Sequence, residues 1–376
     1  MTRLFLLLLL SAVPLVPRPA QAQYIWVNLS FKAVLHPTSG LRPYVFTEAD
    51  IDATVARMNE TLARYERGFR VRRVDPLYDI GGPGQGGTNG PSKWFWPSPR
   101  DPYPPNPNIR NQEQMDGEAR SNPVSYRWNS NAVNYYVIAG FGLGADAGEA
   151  SYPSGGYQIV TLGTVDNDLV ILHETGHWFE LYHTHGSCVR DTNNVCGTAA
   201  NCGMVGPYFG WRLGDDGIAD TLPVQAGDFC FTLQDHLALA NFGIGYGACL
   251  PEQANQVDDA YFNLMAYGFN RIMDRLTPLQ LDKWTRYANN ERGFATSGRT
   301  RFVSPTGNNA SSGLDPTAPK RTVLNAVNAS ATGGGDIVLL RPGNYNEQIT
   351  INQPVTLRAA PTNSFPAYAR WATIGH

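Results

Sequence analysis

The chain has 376 residues, of which 42% are hydrophobic and 16% are charged, a balance typical of a globular protein and not of a disordered tail. Its length suits one domain of ~250 residues with a smaller module beside it. The net charge is −3 at pH 7 and the four lysines are scattered, which excludes the basic surface that nucleic-acid binding requires.

Residues 1–22 have the pattern of a secretory signal peptide. Arg3 precedes an apolar run at residues 4–10, and Ala20 and Ala22 form a small-x-small cleavage site. The run is too short to cross a bilayer, and no other stretch approaches ~18 apolar residues. We therefore predict a secreted, extracellular protein without a membrane span.

The following segment predicts a strand, a helix and a second strand. Apolar and polar residues alternate along Ile25–Leu35, as in a half-buried strand. Thr47 can cap a helix whose apolar residues follow a helical stripe, and Gly68 can end it. Residues 70–74 then resemble a strand, which completes a βαβ unit.

Further elements are expected along the chain. The Gly/Pro-dense residues 81–107 predict a surface loop, with a helical turn near residues 112–119. Strands are expected at residues 134–138 and 157–162, and a helix capped by Asp166 at residues 167–182. Thr277 opens a capping box, with Pro in the first turn, for a last helix that reaches about residue 288.

The cysteines lie together in one third of the chain. In an oxidising compartment five cysteines predict two disulfide bonds and one leftover thiol, and the spacing leaves every pairing open. A cysteine-only zinc site is the weaker interpretation because no CxxC pair is present. The positions are Cys188, Cys196, Cys202, Cys230 and Cys249.

Four of the seven histidines fall between residues 173 and 185. On a helix His173 and His177 are four residues apart and share one face, with β-carbons ~6 Å apart. Their imidazoles can therefore converge on one Zn²⁺ ion. Glu174, beside the first histidine, can act as general base towards a water that zinc activates.

Helix geometry restricts the third ligand. Glu180 would share the ligand face of an unbroken helix, but it lies ~10.5 Å along the axis beyond His173, too far for one zinc ion. His183 lies roughly 240° around an unbroken helix from His177. It can bind only if the chain reverses near residues 180–182, and His185 is a substitute ligand.

The segment from His173 to His183 resembles the extended HExxHxxGxxH signature of metzincin metallopeptidases, and the ulilysin-like pappalysin family most of all. Residues 214–221 resemble that family's pattern after the active-site helix, and residues 263–267 resemble its Met-turn. The resemblance covers about residues 25–290. It implies an α+β fold for residues 23–290, with a mixed twisted sheet, an active-site helix and a C-terminal helix after the Met-turn.

The same resemblance implies roles for individual residues. Three histidines would bind zinc, one glutamate would be the catalytic base, a methionine would form the floor beneath the metal, and a tyrosine would stabilise the oxyanion. Those residues are His173, His177, His183, Glu174, Met265 and Tyr267. It also suggests Ca²⁺ at Asp215, Asp216 and Asp220, for which a solvated acidic loop is an equal alternative.

One residue departs from the family signature. Glu180 stands where the family has Gly, and a left-handed backbone there costs a residue with a β-carbon ~1 kcal/mol or more. The site either absorbs that cost, bends at a neighbouring residue, or fails to present His183. The last outcome predicts a catalytically weak or inactive protein.

The C-terminal part differs in character. Residues 291–300 predict a linker, and residues 301–376 a small β-rich module with a helix at 322–329 and strands at 336–340, 348–351 and 355–357. This module resembles the start of a pectate-lyase-type parallel β-helix. A solenoid usually needs about three or more coils, which indicates a truncated product or an accessory module.

The leading hypothesis is a secreted zinc endopeptidase that hydrolyses protein or peptide substrates. Zinc would polarise the scissile carbonyl, and Glu174 would move the proton from water to the leaving amine. The alternative is an inactive metzincin-like protein that binds a surface or a polysaccharide through residues 301–376. The oligomeric state stays open.

Overall fold

The computed structural model describes residues 24–84, 90–96, 112–139, 148–150, 153–183, 186–187, 204–205, 209–212, 218, 263–265, 274–360 and 372–375. Several predictions therefore lie outside the described residues. They concern the signal peptide, the five cysteines, Asp215, Asp216, Asp220, His185 and Tyr267.

A mixed sheet forms the centre of the N-terminal part. Its main path runs β2-β1-β4-β6-β5, and β3 pairs with the far end of β1. The pairings are parallel except for that of β5, which lies antiparallel to β6 at one edge. The bounds are β1 (Ile25–Leu35), β2 (Phe69–Arg73), β3 (Tyr78–Gly81), β4 (Val133–Val137), β5 (Gly148–Ala150) and β6 (Ile159–Leu162).

Helices pack on this sheet and short strands follow it. Together they give the α+β content, with a mixed sheet, that the sequence predicts. The helices are α1 (Glu48–Arg64), α2 (Gln112–Ser121), α3 (Asp168–Trp178), α4 (Pro278–Asn289) and α5 (Val323–Ala329). The remaining strands are β7 (Gly186–Ser187), β8 (Met204–Val205), β9 (Phe209–Arg212), β10 (Thr300–Val303), β11 (Ile337–Leu340), β12 (Gly343–Asn346), β13 (Thr356–Ala359) and β14 (Ala372–Gly375).

The predicted helix starts of α1 and α4 are confirmed. Thr47 forms a capping box with Asp50, and Thr277 forms one with Gln280. Each pair satisfies backbone N–H groups that the first helical turn leaves without partners. Among the described residues, none of these helices combines the length and the apolar composition that a bilayer crossing requires.

The sheet is covered on both faces, so the prediction of a half-buried β1 is wrong for its second half. One face packs against the main core, and the other against a second cluster that includes Trp94 and Tyr136. Ser30 and Lys32, expected at the polar face, are fully buried. The Lys32 ammonium donates to Ser30 Oγ (2.7 Å) and Asn134 Oδ1 (2.5 Å), which satisfies a charge that burial would otherwise penalise.

Burial of Lys32 predicts a pH-dependent stability. It lowers the pKa of Lys32 from 10.5 to about 7, against the opposing effect of Asp75. Between pH 7 and 10.5 Lys32 is protonated in the unfolded chain and mostly deprotonated in the folded one. The free energy of unfolding should therefore rise with pH, and Lys32 should contribute up to ~1.4 kcal/mol per pH unit to this rise. Urea denaturation of wild type and Lys32→Met at pH 7.5 and 9.5 measures it.

Methionine removes the titrating group, and one of the acceptors that lose the ammonium keeps another donor. Asn134 Oδ1 also accepts from the Asn129 backbone N–H (2.9 Å). The advantage of Lys32→Met over wild type should shrink as the pH rises. Parallel stability curves for the two proteins would show that Lys32 does not titrate in this range.

The C-terminal strands pack directly on the N-terminal part. β10, β11 and β13 form a parallel sheet in the order β10-β11-β13, and β12 pairs with β14. Ile337 of β11 belongs to the main core. Within residues 291–300, the predicted linker, Ser297 N–H donates to Trp26 O (3.0 Å) on β1. The domain boundaries themselves stay a prediction.

The predicted helix at residues 322–329 is confirmed as α5, with Thr322 as its N-cap. The predicted strand at residues 348–351 is wrong, since those residues are irregular. β13 takes the position beside β11 in the parallel sheet, so the intervening residues have no place in that ladder.

One buried carboxylate joins three parts of the chain. Asp282 on α4 forms ion pairs with Arg67 (2.9 Å) and with Arg341 (2.8 Å), which follows β11. Asp282→Ala should lower the free energy of unfolding by ~3–5 kcal/mol, because it leaves the buried Arg67 guanidinium without its carboxylate. Asp79→Ala, which removes an exposed pair with Arg42, should cost under ~1 kcal/mol. Urea denaturation that finds equal losses would contradict a structural role for this cluster.

Candidate metal centre

Helix α3 carries the first two histidines. Its N-cap is Asn167, whose side chain accepts from Val170 N–H (3.1 Å), so the predicted cap at Asp166 is displaced by one residue. His173 and His177 are both buried, and the centroids of their rings are 4.6 Å apart. The spacing of four residues thus places both imidazoles on one helix face, as predicted.

The chain reverses immediately after α3. The helix ends at Trp178, and Glu180 adopts a left-handed conformation with φ 67°. Glu180 N–H donates to His177 O (2.8 Å) and Leu181 N–H to Gly176 O (2.9 Å). These two bonds form a Schellman motif, whose left-handed position is usually glycine. The predicted helix end at residue 182 is therefore wrong, because the chain leaves the helical path after Trp178.

The reversal brings His183 to the other two histidines. His183 Nε2 lies 2.9 Å from His177 Nε2 and 3.2 Å from His173 Nε2. Among the described residues, these three histidines form the group that could together hold a metal ion. Nitrogen atoms bound to a tetrahedral zinc at ~2.0–2.1 Å would lie ~3.3 Å apart. Two of the three distances are close to this value and all three ligand atoms lie within 4.8 Å of one another, so the cluster fits a zinc ion.

Backbone carbonyls orient two of the rings. His173 Nδ1 donates to Leu264 O (2.5 Å), and His177 Nδ1 donates to Leu181 O (2.6 Å). A proton on Nδ1 leaves the Nε2 lone pair for a metal. Burial lowers the pKa of His173 to about 4, so its ring is neutral at pH 7. Sequence reasoning missed both carbonyls because any residue type can supply a backbone oxygen.

Glu174 lies on the same helix and faces the edge strand β5. A β-carbon on Gly148 would come within 2.6 Å of Glu174 Cγ, so the glycine permits this close approach. Burial raises the pKa of Glu174 to about 8, Glu149 raises it further, and a bond from the Ala150 backbone opposes them. A divalent cation held by the nearby histidines would lower this pKa and so favour the carboxylate that a general base requires. Sequence reasoning missed Gly148 and Glu149.

Met265 packs beneath α3. A β-carbon on Gly176 would lie 2.6 Å from Met265 Sδ, so the glycine lets the thioether lie directly against the helix. Met265 N–H donates to Asn263 Oδ1 (2.9 Å), and Asn263 Nδ2 donates to Gln280 Oε1 (2.8 Å). Gln280, which belongs to the capping box of α4, thereby anchors the segment whose Leu264 O accepts from His173.

Comparisons with known proteins add little. No protein-family model matches the chain, and no curated protein matches it. A solved structure of mature mirolysin from Tannerella forsythia, in complex with a cleaved peptide, is similar with 16% identity over 71% of this chain and 95% of that one. Its TM-score is 0.38, which is too low to establish a shared fold. Any function assigned to this protein therefore rests on the arrangement of its own residues.

Proposed function

We propose that this protein is a secreted zinc endopeptidase of the metzincin type, most similar to the pappalysins. The observation that carries the proposal is the convergence of three imidazole nitrogens from His173, His177 and His183 on a helix that also carries the buried Glu174. Histidine is a preferred zinc ligand, and three protein ligands leave a coordination position open, as in catalytic zinc sites. Bound zinc would polarise a carbonyl and acidify water.

The chain's own groups would handle protons and the substrate. Glu174 would accept a proton from the attacking water and donate it to the leaving amine. β5 forms an edge of the described sheet, and an extended peptide can add to such an edge through backbone hydrogen bonds. Since Gly148 of β5 touches Glu174, a peptide there would pass close to the base.

Two further roles in the proposal rest on sequence resemblance. Tyr267 would stabilise the oxyanion of the tetrahedral intermediate, and Ca²⁺ would bind at the acidic residues 215, 216 and 220. Glu180 and the C-terminal strands are the features that point to the alternative, an inactive protein. Glu180 adopts the left-handed conformation while His183 reaches the other ligands, which favours the enzyme.

Metal analysis combined with proteolysis tests this function. Purified protein should hold one zinc ion per chain and cleave an unfolded protein substrate. A chelator should reduce cleavage below ~1% of the untreated rate, and added Zn²⁺ should restore it, since both water activation and carbonyl polarisation depend on the ion. Cleavage that persists after complete zinc removal would refute the proposed function.

A further inference from the structure

The reversal after α3 depends on a residue that is unfavourable for it. A left-handed backbone is strained for a residue with a β-carbon, and glycine is the usual choice at this position of a Schellman motif. Glu180 nevertheless adopts φ 67° and is 2% exposed. A buried, charged residue in a strained conformation requires compensating contacts.

The carboxylate of Glu180 has contacts on both sides of the reversal. One oxygen, Oε2, accepts from Ser154 N–H (3.0 Å), in the 3₁₀ turn Pro153–Gly155 that precedes β6. The other, Oε1, accepts from the hydroxyl of Tyr182, the residue directly before His183. The two bonds therefore tie the histidine-bearing segment to the neighbouring turn.

Arg292 supplies a positive charge to the same region. Its guanidinium donates to Trp178 O (3.2 Å), at the last residue of α3, and to Tyr157 O (2.5 Å). It also lies over the Trp178 ring, 4.4 Å from the ring centroid. Burial lowers the pKa of Arg292 to about 10, while Asp116 and Glu180 act in the opposite direction. The negative charge of Glu180 is therefore partly balanced inside the protein.

We propose that Glu180 is a positioning residue for the metal centre, whose carboxylate holds the reversed chain so that His183 meets His173 and His177. The same reversal places Leu181 O on His177 Nδ1, so it orients two of the three ligands. This inference rests on the proposed function only in taking the three histidines as zinc ligands. It does not require peptidase activity.

Zinc affinity of Glu180→Gly tests the proposal, because backbone strain and carboxylate contacts predict opposite results. Glycine relieves the strain, so a site limited by strain would bind zinc as tightly as wild type or more tightly. If the carboxylate positions the ligands, affinity should fall about 10-fold to 100-fold, as is typical when a residue that orients metal ligands is removed. Competition with a chromogenic chelator measures the affinity.

The chain offers a matched control. Glu66, which follows α1, is also a glutamate with positive φ (55°) near a helix end. Glu66→Gly removes the same side chain from the same type of backbone conformation and should leave zinc affinity unchanged. Equal losses in both variants, or no loss in Glu180→Gly, would overturn the proposal.

Two further variants keep the test decisive if Glu180→Gly folds poorly. Glu180→Gln retains an acceptor for Ser154 N–H and should hold zinc affinity to within about threefold, since neutral bonds are weaker but present. Tyr182→Phe removes one donor and should weaken zinc binding about tenfold. The visible spectrum of Co²⁺-loaded protein, which depends on ligand geometry, should change in Tyr182→Phe. Unchanged affinity and spectrum would overturn the role.

Discussion

Glu174→Gln should reduce peptide cleavage about 10²-fold to 10⁴-fold, the contribution typical of a positioned general base. The amide keeps the volume of the carboxyl but cannot accept a proton from water at neutral pH. Glu174 lies on α3 directly after His173, and its side chain packs against Gly148. Initial rates on an unfolded protein substrate, at equal zinc content, give the result.

Measuring the zinc content distinguishes loss of the general base from loss of the metal as the cause of reduced activity. Since Glu174 is not one of the three clustered imidazoles, the variant should bind zinc as wild type does. Glu149→Gln serves as a control, because it neutralises the neighbouring carboxyl that raises the pKa of Glu174. We expect Glu149→Gln to retain activity within about tenfold. A Glu174→Gln protein with full zinc and full activity would rule out Glu174 as the base.

His183→Ala should weaken zinc binding by roughly 10²-fold to 10³-fold. Zinc sites with four ligands have apparent binding free energies of about 10–16 kcal/mol, or about 2.5–4 kcal/mol per ligand. His183 Nε2 lies 2.9 Å and 3.2 Å from the other two imidazole nitrogens, so its loss reduces this cluster to the pair on α3. Competition with a chelator of known affinity measures the change.

His185→Ala is the matched control for this prediction. The sequence alone leaves His185 as a substitute ligand, two residues further along the chain. If His183 is the ligand, His185→Ala should bind zinc within about twofold of wild type, since substitutions away from such sites usually have small effects. The reverse pattern, with affinity lost in His185→Ala and kept in His183→Ala, would exchange their roles.

Two glycines allow close packing around α3. Gly176 admits Met265 beneath the histidines, and Gly148 admits β5 beside Glu174. In both places the contact distance leaves no room for a β-carbon. At these two positions α3 therefore packs more closely on its neighbours than a residue with a β-carbon would allow.

Much of this protein is determined by local sequence. The capping boxes at Thr47 and Thr277 set the starts of α1 and α4, because a cap bonds to backbone groups only two or three residues away. The spacing of His173 and His177 places them on one face of α3 for the same reason, since helical periodicity is a local property. Hence these elements and the pairing of the two histidines are predictable without the rest of the chain.

The tertiary structure alone decided the features that depend on distant partners. Glu180 adopts its left-handed conformation while its carboxylate bonds to Ser154, 26 residues earlier. His173 is oriented by the carbonyl of Leu264, and Lys32 is buried because a second hydrophobic layer covers its face of the sheet. Backbone strain, ligand orientation and burial are free-energy balances between segments far apart in sequence, so no local pattern specifies them.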